Sequence, residues 1–243
     1  MRKKLKIIFL IIFSLVLLFL ALLSIQYTPS YVYRLISMNV ADVYDYKNFE
    51  NQEIKGAKST NTFIYQPKEK YVESLFEELV TKTGFNNFEE WAIESQTTAL
   101  IVIKKDTIIY EKYFNGFVRD SYFHSQSMAK SFISFLIGAA IDDGLIKSIE
   151  DPITNYIPEL LQRDQLFKKI SIKDLLEMRS GLEYNTSLIP FTNIYTPWHD
   201  EAVGYYHPNV RKLLLENVDI SSEPGQDFQY SNYNTSYLGL ILE

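Results

Sequence analysis

Cysteine is absent from all 243 residues. That excludes disulfides, thiolate nucleophiles and zinc–thiolate sites together. Histidine is scarce, with only His124, His199 and His207 present. None shows an H-x-x-x-H or carboxylate-paired ligand spacing, so neither a metal nor another cofactor is expected. Positive charge is also thin. The net charge is −6, and no basic stripe follows residue 6, which argues against a nucleic-acid partner. No repeat or low-complexity tract appears, and the length leaves room for one large domain or two small ones.

What the chain does have begins at its N-terminus. Arg2, Lys3, Lys4 and Lys6 precede an uncharged run from Ile7 to Ile25. At 1.5 Å per residue the run would reach about 28 Å, close to a hydrocarbon core. Charge before it and none until Arg34 predicts a cytoplasmic basic tip and a membrane-spanning signal anchor over residues 1–25. The remainder would be extracytoplasmic at the cell membrane, or secreted if the segment is cleaved. Residues 26–68 read as a tyrosine-rich, membrane-proximal connector with short extended pieces, and residues 69–243 as the main domain. Within it, Val72, Leu75, Phe76 and Leu79 recur at helical spacing over 69–82, with Gly84 beyond the end. Two β-rich runs, Thr98 to Ile103 and Thr107 to Tyr113, flank Lys104-Lys105-Asp106 and predict a hairpin.

The chemistry-bearing pattern is Ser127-Met128-Ala129-Lys130, followed about a hundred residues later by Tyr230-Ser231-Asn232. A serine hydroxyl needs an adjacent proton acceptor to act as a nucleophile. A lysine at i+3 lies on the same helix face, one turn on. Residues 127–143 form a long apolar helical pattern stopped by Gly144, so Ser127 falls at a helix N-terminus, where developing negative charge is favoured. A tyrosine from elsewhere in the fold can relay a proton. Ser-x-x-Lys arises by chance on the order of once in such a chain, so spacing alone leaves another reading open: a helix cap, a solvated lysine and a packed tyrosine. Burial of Lys130 against Phe132, Phe135 and an aromatic loop would favour its neutral form. Tyr184, Tyr195, Trp198, Tyr205 and Tyr206 crowd the region between the two segments. They read as a substrate wall or as ordinary packing. Glu177 and Arg179 read as a helix-ending ion pair.

The runs HSQSMAKSFISFLIGAAIDDGLI (124–146), EDPITNYIPEL (150–160), ISIKDLLEMRSGLEY (170–184) and EPGQDFQYSNYNTSYLGLILE (223–243) resemble the class C β-lactamase-related, penicillin-recognising serine hydrolases, in that family's order. VYRLISMNVADVYDYKNF (32–49) and GYYHPNVRKLLLEN (204–217) are most similar to its 6-aminohexanoate-oligomer hydrolase branch. The resemblance implies an α+β fold, an antiparallel sheet flanked by helices, with a helical subdomain. It implies Ser127 as acyl-accepting nucleophile, Lys130 as base, Tyr230 as second proton-transfer group and Asn232 as a substrate-orienting or Lys-positioning amide. No cofactor is implied, and the substrate would be a small or peptide-like amide, ester or β-lactam carbonyl. The family's third motif, Lys/His-Thr/Ser-Gly on a late strand, does not follow Asn232. The expectation is therefore a chain truncated at its C-terminus, lacking the late strands. The alternative to a hydrolase is a non-catalytic remnant or ligand-binding protein of the same family.

Overall fold

The computed structural model describes residues 2–55, 63–189, 195–196 and 198–243. Residues 56–62 of the expected connector lie outside the described residues. Along the chain come α1 (Arg2–Gln26), α2 (Pro29–Ser37), β1 (Ile64–Tyr65), α3 (Glu69–Val80), α4 (Phe88–Glu94), β2 (Ala99–Lys104) and β3 (Thr107–Tyr113). They are followed by α5 (Ala129–Asp142), α6 (Leu160–Arg163), α7 (Ile172–Leu176), α8 (Asp200–Tyr206), α9 (Val210–Glu216) and α10 (Asn232–Ile241). The chain divides into two units, residues 43–124 and residues 1–42 with 125–243.

The unit of residues 43–124 is built on a three-stranded sheet of order β1-β3-β2. β2 and β3 form the predicted hairpin, pairing from Ala99 with Tyr113 to Lys104 with Thr107. Lys105 and Asp106 turn it with φ of 50° and 54°; positive φ at both central positions matches the twist of paired strands. β1 joins parallel to β3, Ile64 opposite Thr107. The sheet is therefore mixed, which corrects the antiparallel sheet expected from the sequence. A two-residue strand carries no alternation to read, and β1 takes its direction from the chain's entry beside β3. On α3, Val72 and Val80 are buried and Phe76 is partly buried against them, while Leu75 and Leu79 are exposed. The packed stripe therefore runs i, i+4, i+8 rather than along the whole apolar set. Phe88 is the hub of this core, with Phe76 stacked at 4.8 Å and Trp91 at 5.7 Å.

The other unit packs α10 against α5, α7, α8 and α9. Its core includes Ile137, Ile153, Leu160, Phe167, Ile172, Leu175, Leu214 and Tyr237, all buried. Local signals fix the ends of its elements. Ser171 and Asp174 close a capping box on α7, and Gly144, at φ 74°, ends α5 in the left-handed conformation that glycine adopts without a Cβ clash. Residues 29–37 are a helix where the sequence suggested extended pieces. Thr28 accepts from Tyr31 N–H at 3.4 Å and Pro29 opens the first turn, the arrangement that favours a helix start.

The membrane-spanning anchor is also corrected. Among the described residues no helix is long and apolar enough to cross a membrane. α1 is helical through Gln26, but its described apolar side chains run from Ile7 to Leu22. That is about 24 Å of rise, short of a hydrocarbon core of about 30 Å. The side chains of residues 23–26, on which the longer estimate depended, lie outside the described residues.

Candidate functional site

Ser127 lies in a single 3-10 turn, Gln126–Met128, that runs straight into α5. Gln126 enters it at φ 46°, a left-handed backbone uncommon for a residue with a side chain. At the start of a helix the Ser127 N–H has no intrahelical acceptor. Lys130 is one turn on, and its Nζ donates to Ser127 Oγ at 3.1 Å. Tyr230, distant by 103 positions, brings its hydroxyl within 2.7 Å of the same oxygen. Lys130 Nζ also sits over the Tyr230 ring, 5.1 Å from its centroid. The structure thus gathers Ser127, Lys130 and Tyr230 around one oxygen atom.

Tyr230 has a shifted acidity. Partial burial raises its pKa, but the contacts with Ser127 and Lys130, with the lysine charge, outweigh that and leave it below the ordinary phenol value. Phe132 and Phe135 do not bury Lys130 as expected. They are 61% and 77% exposed, on the α5 face turned to solvent, so the lysine's partners are polar and aromatic oxygen-bearing groups instead.

Tyr230 reaches Ser127 because the segment before α10 is tied down on both sides. Gln229 N–H donates to the Met178 carbonyl at 2.8 Å, and its Nε2 to the Tyr184 carbonyl at 3.2 Å. Ser231 caps α10 through its hydroxyl, which accepts from Tyr233 N–H. Deeper in, Ser180 Oγ donates to Asn234 Oδ1 at 2.5 Å, and Asn234 Nδ2 reaches the Ser231 carbonyl at 3.5 Å. Ser180 and Asn234 are each 1% exposed. Arg179 does not pair with Glu177; it donates to the Gln226 carbonyl. The loop over residues 178–184 therefore clasps residues 225–234. Sequence spacing did not single out Ser180, Gln229 or Asn234. The one signal was the recurrence of Asn at 232 and 234, which does not say which faces inward.

Asn232 is half-buried at the first position of α10, and among the described residues its carboxamide makes no hydrogen bond to Ser127 or Lys130. The aromatic cluster is mostly packing. Tyr206 is buried, Tyr184 packs edge-to-face on Tyr233 at 5.3 Å, and Tyr195 lies 4.8 Å from His199. Trp198 is 57% exposed. It lines a cavity of about 430 Å³ together with Tyr31, Leu35, Asp200, His207 and Tyr233, and Ser127 is not among its walls. Asp200 is already engaged there by the Tyr233 hydroxyl at 3.0 Å and by Asn185 N–H, so that cavity offers no free reactive group from Asp200. Among the described residues no group of three or more His, Asp or Glu side chains could hold a metal ion.

Known proteins share this architecture. The chain is 28% identical over 167 residues to 6-aminohexanoate-dimer hydrolase of Paenarthrobacter ureafaciens, covering 66% of this chain and 41% of that enzyme. It is 28% identical over 100 residues to an uncharacterised protein of Alkalihalophilus pseudofirmus, covering 37% of this chain and 29% of that protein. The chain thus spans less than half the length of these relatives. A solved Bacillus anthracis structure, provisionally named a 6-aminohexanoate-dimer hydrolase, superposes with a TM-score of 0.54 at 24% identity, over 64% of this chain and 42% of that one; this likeness is one of fold. Residues 74–243 match the Beta-lactamase family, and at that extent, well over half the sequence, the chain belongs to it.

Proposed function

We propose that the protein is a serine hydrolase that cleaves an amide or ester through an acyl-enzyme, with Ser127 as nucleophile, Lys130 as base and Tyr230 as second proton carrier. The observation that carries this reading is the meeting of Lys130 Nζ and Tyr230 OH on Ser127 Oγ, at 3.1 Å and 2.7 Å. Lys130 in its neutral form takes the Oγ proton as the oxygen attacks the carbonyl carbon. The N–H of Ser127, at the helix start, stabilises the oxyanion. Tyr230, whose acidity is strengthened by Lys130, gives its proton to the departing amine or alcohol and recovers one from Lys130. A water then attacks the acyl-enzyme by the reverse relay and frees Ser127. Asn232 stands beside Tyr230 as the amide that meets the substrate. The curated relative acts on 6-aminohexanoate dimer by its name, which supports a short linear amide as substrate class here, acting at residues 69–243.

The test is direct. Ser127→Ala abolishes p-nitrophenyl ester hydrolysis and fluorophosphonate labelling. Lys130→Met lowers turnover by about 10²–10⁴-fold with an unchanged melting curve. Labelling that survives in Ser127→Ala removes Ser127 from the role, and near-normal rates in Lys130→Met remove the lysine base.

A further inference from the structure

Tyr230 sits poorly secured for a group that must hold a 2.7 Å contact. Its side chain is 50% exposed, and among the described residues its hydroxyl has one hydrogen-bond partner, Ser127 Oγ, the oxygen that Lys130 also reaches. What fixes it lies in its neighbours. One residue earlier, the Gln229 carboxamide donates to the Tyr184 carbonyl at 3.2 Å. Three residues later, the Tyr233 ring packs edge-to-face on the Tyr184 ring, 5.3 Å between centroids. Both contacts end on one residue, so Tyr184 brackets Tyr230 from either side, by a hydrogen bond before it and a ring contact after it. Tyr184 is itself immobilised, 9% exposed and edge-to-face on Tyr233 at an interplanar angle of 86°.

From this bracket we infer that Gln229 is a positioning residue for Tyr230, holding it against Ser127 through Tyr184; the inference rests on the Ser–Lys–Tyr reading above. Gln229 is exposed, so its amide fills no core and its single bond to a carbonyl adds little to global stability. Its value is local. Removing it frees one side of the span between Gln229 and Tyr233, and a drift of about 1 Å at a reacting group can cost on the order of 100-fold in rate. Met178, whose carbonyl holds the Gln229 main chain, stands at φ 57°, so the main-chain tie alone depends on a backbone in a sparsely populated conformation.

The experiment uses Gln229→Met, which keeps the side-chain length and removes the donor. Its kcat toward a p-nitrophenyl ester falls by about 10- to 100-fold, while KM and the melting temperature stay put. In a Tyr230→Phe background the same change causes no further loss, because Gln229 acts only through Tyr230. A further loss there, or a wild-type rate in Gln229→Met while Ser127→Ala is dead and Tyr230→Phe is slowed to a measurable residual rate, overturns the positioning role and leaves the catalytic reading standing. Full activity in Ser127→Ala overturns the catalytic reading instead. A titration of 13Cζ-labelled tyrosine judges the positioning without any turnover. The resonance lost in Tyr230→Phe titrates below the ordinary phenol range in the wild type and moves up in Gln229→Met; a resonance that does not move overturns the inference.

Discussion

The buried Ser180–Asn234 pair offers the sharpest quantitative check on how the site is held. Asn234→Leu keeps the branched four-atom side chain and removes the acceptor of Ser180 Oγ, 2.5 Å away, together with a weaker donor to the Ser231 carbonyl at 3.5 Å. Both side chains are sealed from water at 1% exposure, so the stranded hydroxyl has no substitute partner of equal quality. A buried polar group left alone costs about 1–3 kcal/mol. The longer second bond adds little, so the loss is about 2–3 kcal/mol. In a chain of this size that lowers the melting temperature by about 4–12 °C. Ser180→Ala strands Asn234 Oδ1 and costs a similar amount. The double variant removes both polar groups, so its loss falls short of the sum by about 1 kcal/mol or more. Thermal unfolding followed by circular dichroism at neutral pH measures all three. Strictly additive losses, or a single loss under about 0.5 kcal/mol, would refute the claim that this pair is a sealed two-body contact. Ester turnover should fall in the same order as stability, since Asn234 lies on the helix whose entry carries Tyr230.

Two further outcomes follow from geometry and burial. Gly181 and Gly144 both have positive φ, at 71° and 74°, but a Cβ on Gly181 would meet the Ser222 carbonyl oxygen at 2.2 Å whereas one on Gly144 meets nothing within 4 Å. Gly144→Ala should therefore cost about 1 kcal/mol and Gly181→Ala clearly more, and equal costs in urea unfolding would sink the distinction. Tyr184, Tyr233 and Tyr237 have pKa values raised by burial first; Glu201 reinforces this for Tyr184 and Asp200 for Tyr233, whereas for Tyr237 the Arg163 charge opposes it and Asp219 adds to it. Below pH of about 10 both folded and unfolded forms keep these protons and the stabilisation is intact; above it the unfolded chain ionises first, so stability drops by up to about 1.4 kcal/mol per pH unit for each tyrosine. A melting temperature that stays flat from about pH 9 to 11 would contradict that.

Much of this was legible before any coordinates. The i, i+3 spacing of Ser127 and Lys130 and the stop at Gly144 followed from helical period and cap chemistry. The hairpin followed from alternation around Lys104-Lys105-Asp106. Other features were not, for physical reasons. Strand β1 is two residues long, too short for any period, so its parallel pairing with β3 is settled only by tertiary contact. On α3 the apolar residues outnumber what one face can bury, and only packing against Phe88 decides that Phe76 goes in and Leu79 stays out. Asn232 and Asn234 look equivalent in sequence, yet the helix turns them about 200° apart, one into the half-exposed site and one into the core. The length of the N-terminal apolar run suggested a span that the described part of α1 does not reach.

The two tryptophans give the protein a built-in optical label for its two halves. Trp91, packed on Phe88, reports from the unit of residues 43–124, and the 57%-exposed Trp198 from the other. The first should emit blue-shifted light shielded from acrylamide, and the second red-shifted light that acrylamide quenches readily. Unfolding of the sheet unit then registers as a red shift in the shielded component alone. With Trp198→Phe and Trp91→Phe, intrinsic fluorescence can tell whether the half that carries Ser127 melts together with the half that carries the sheet.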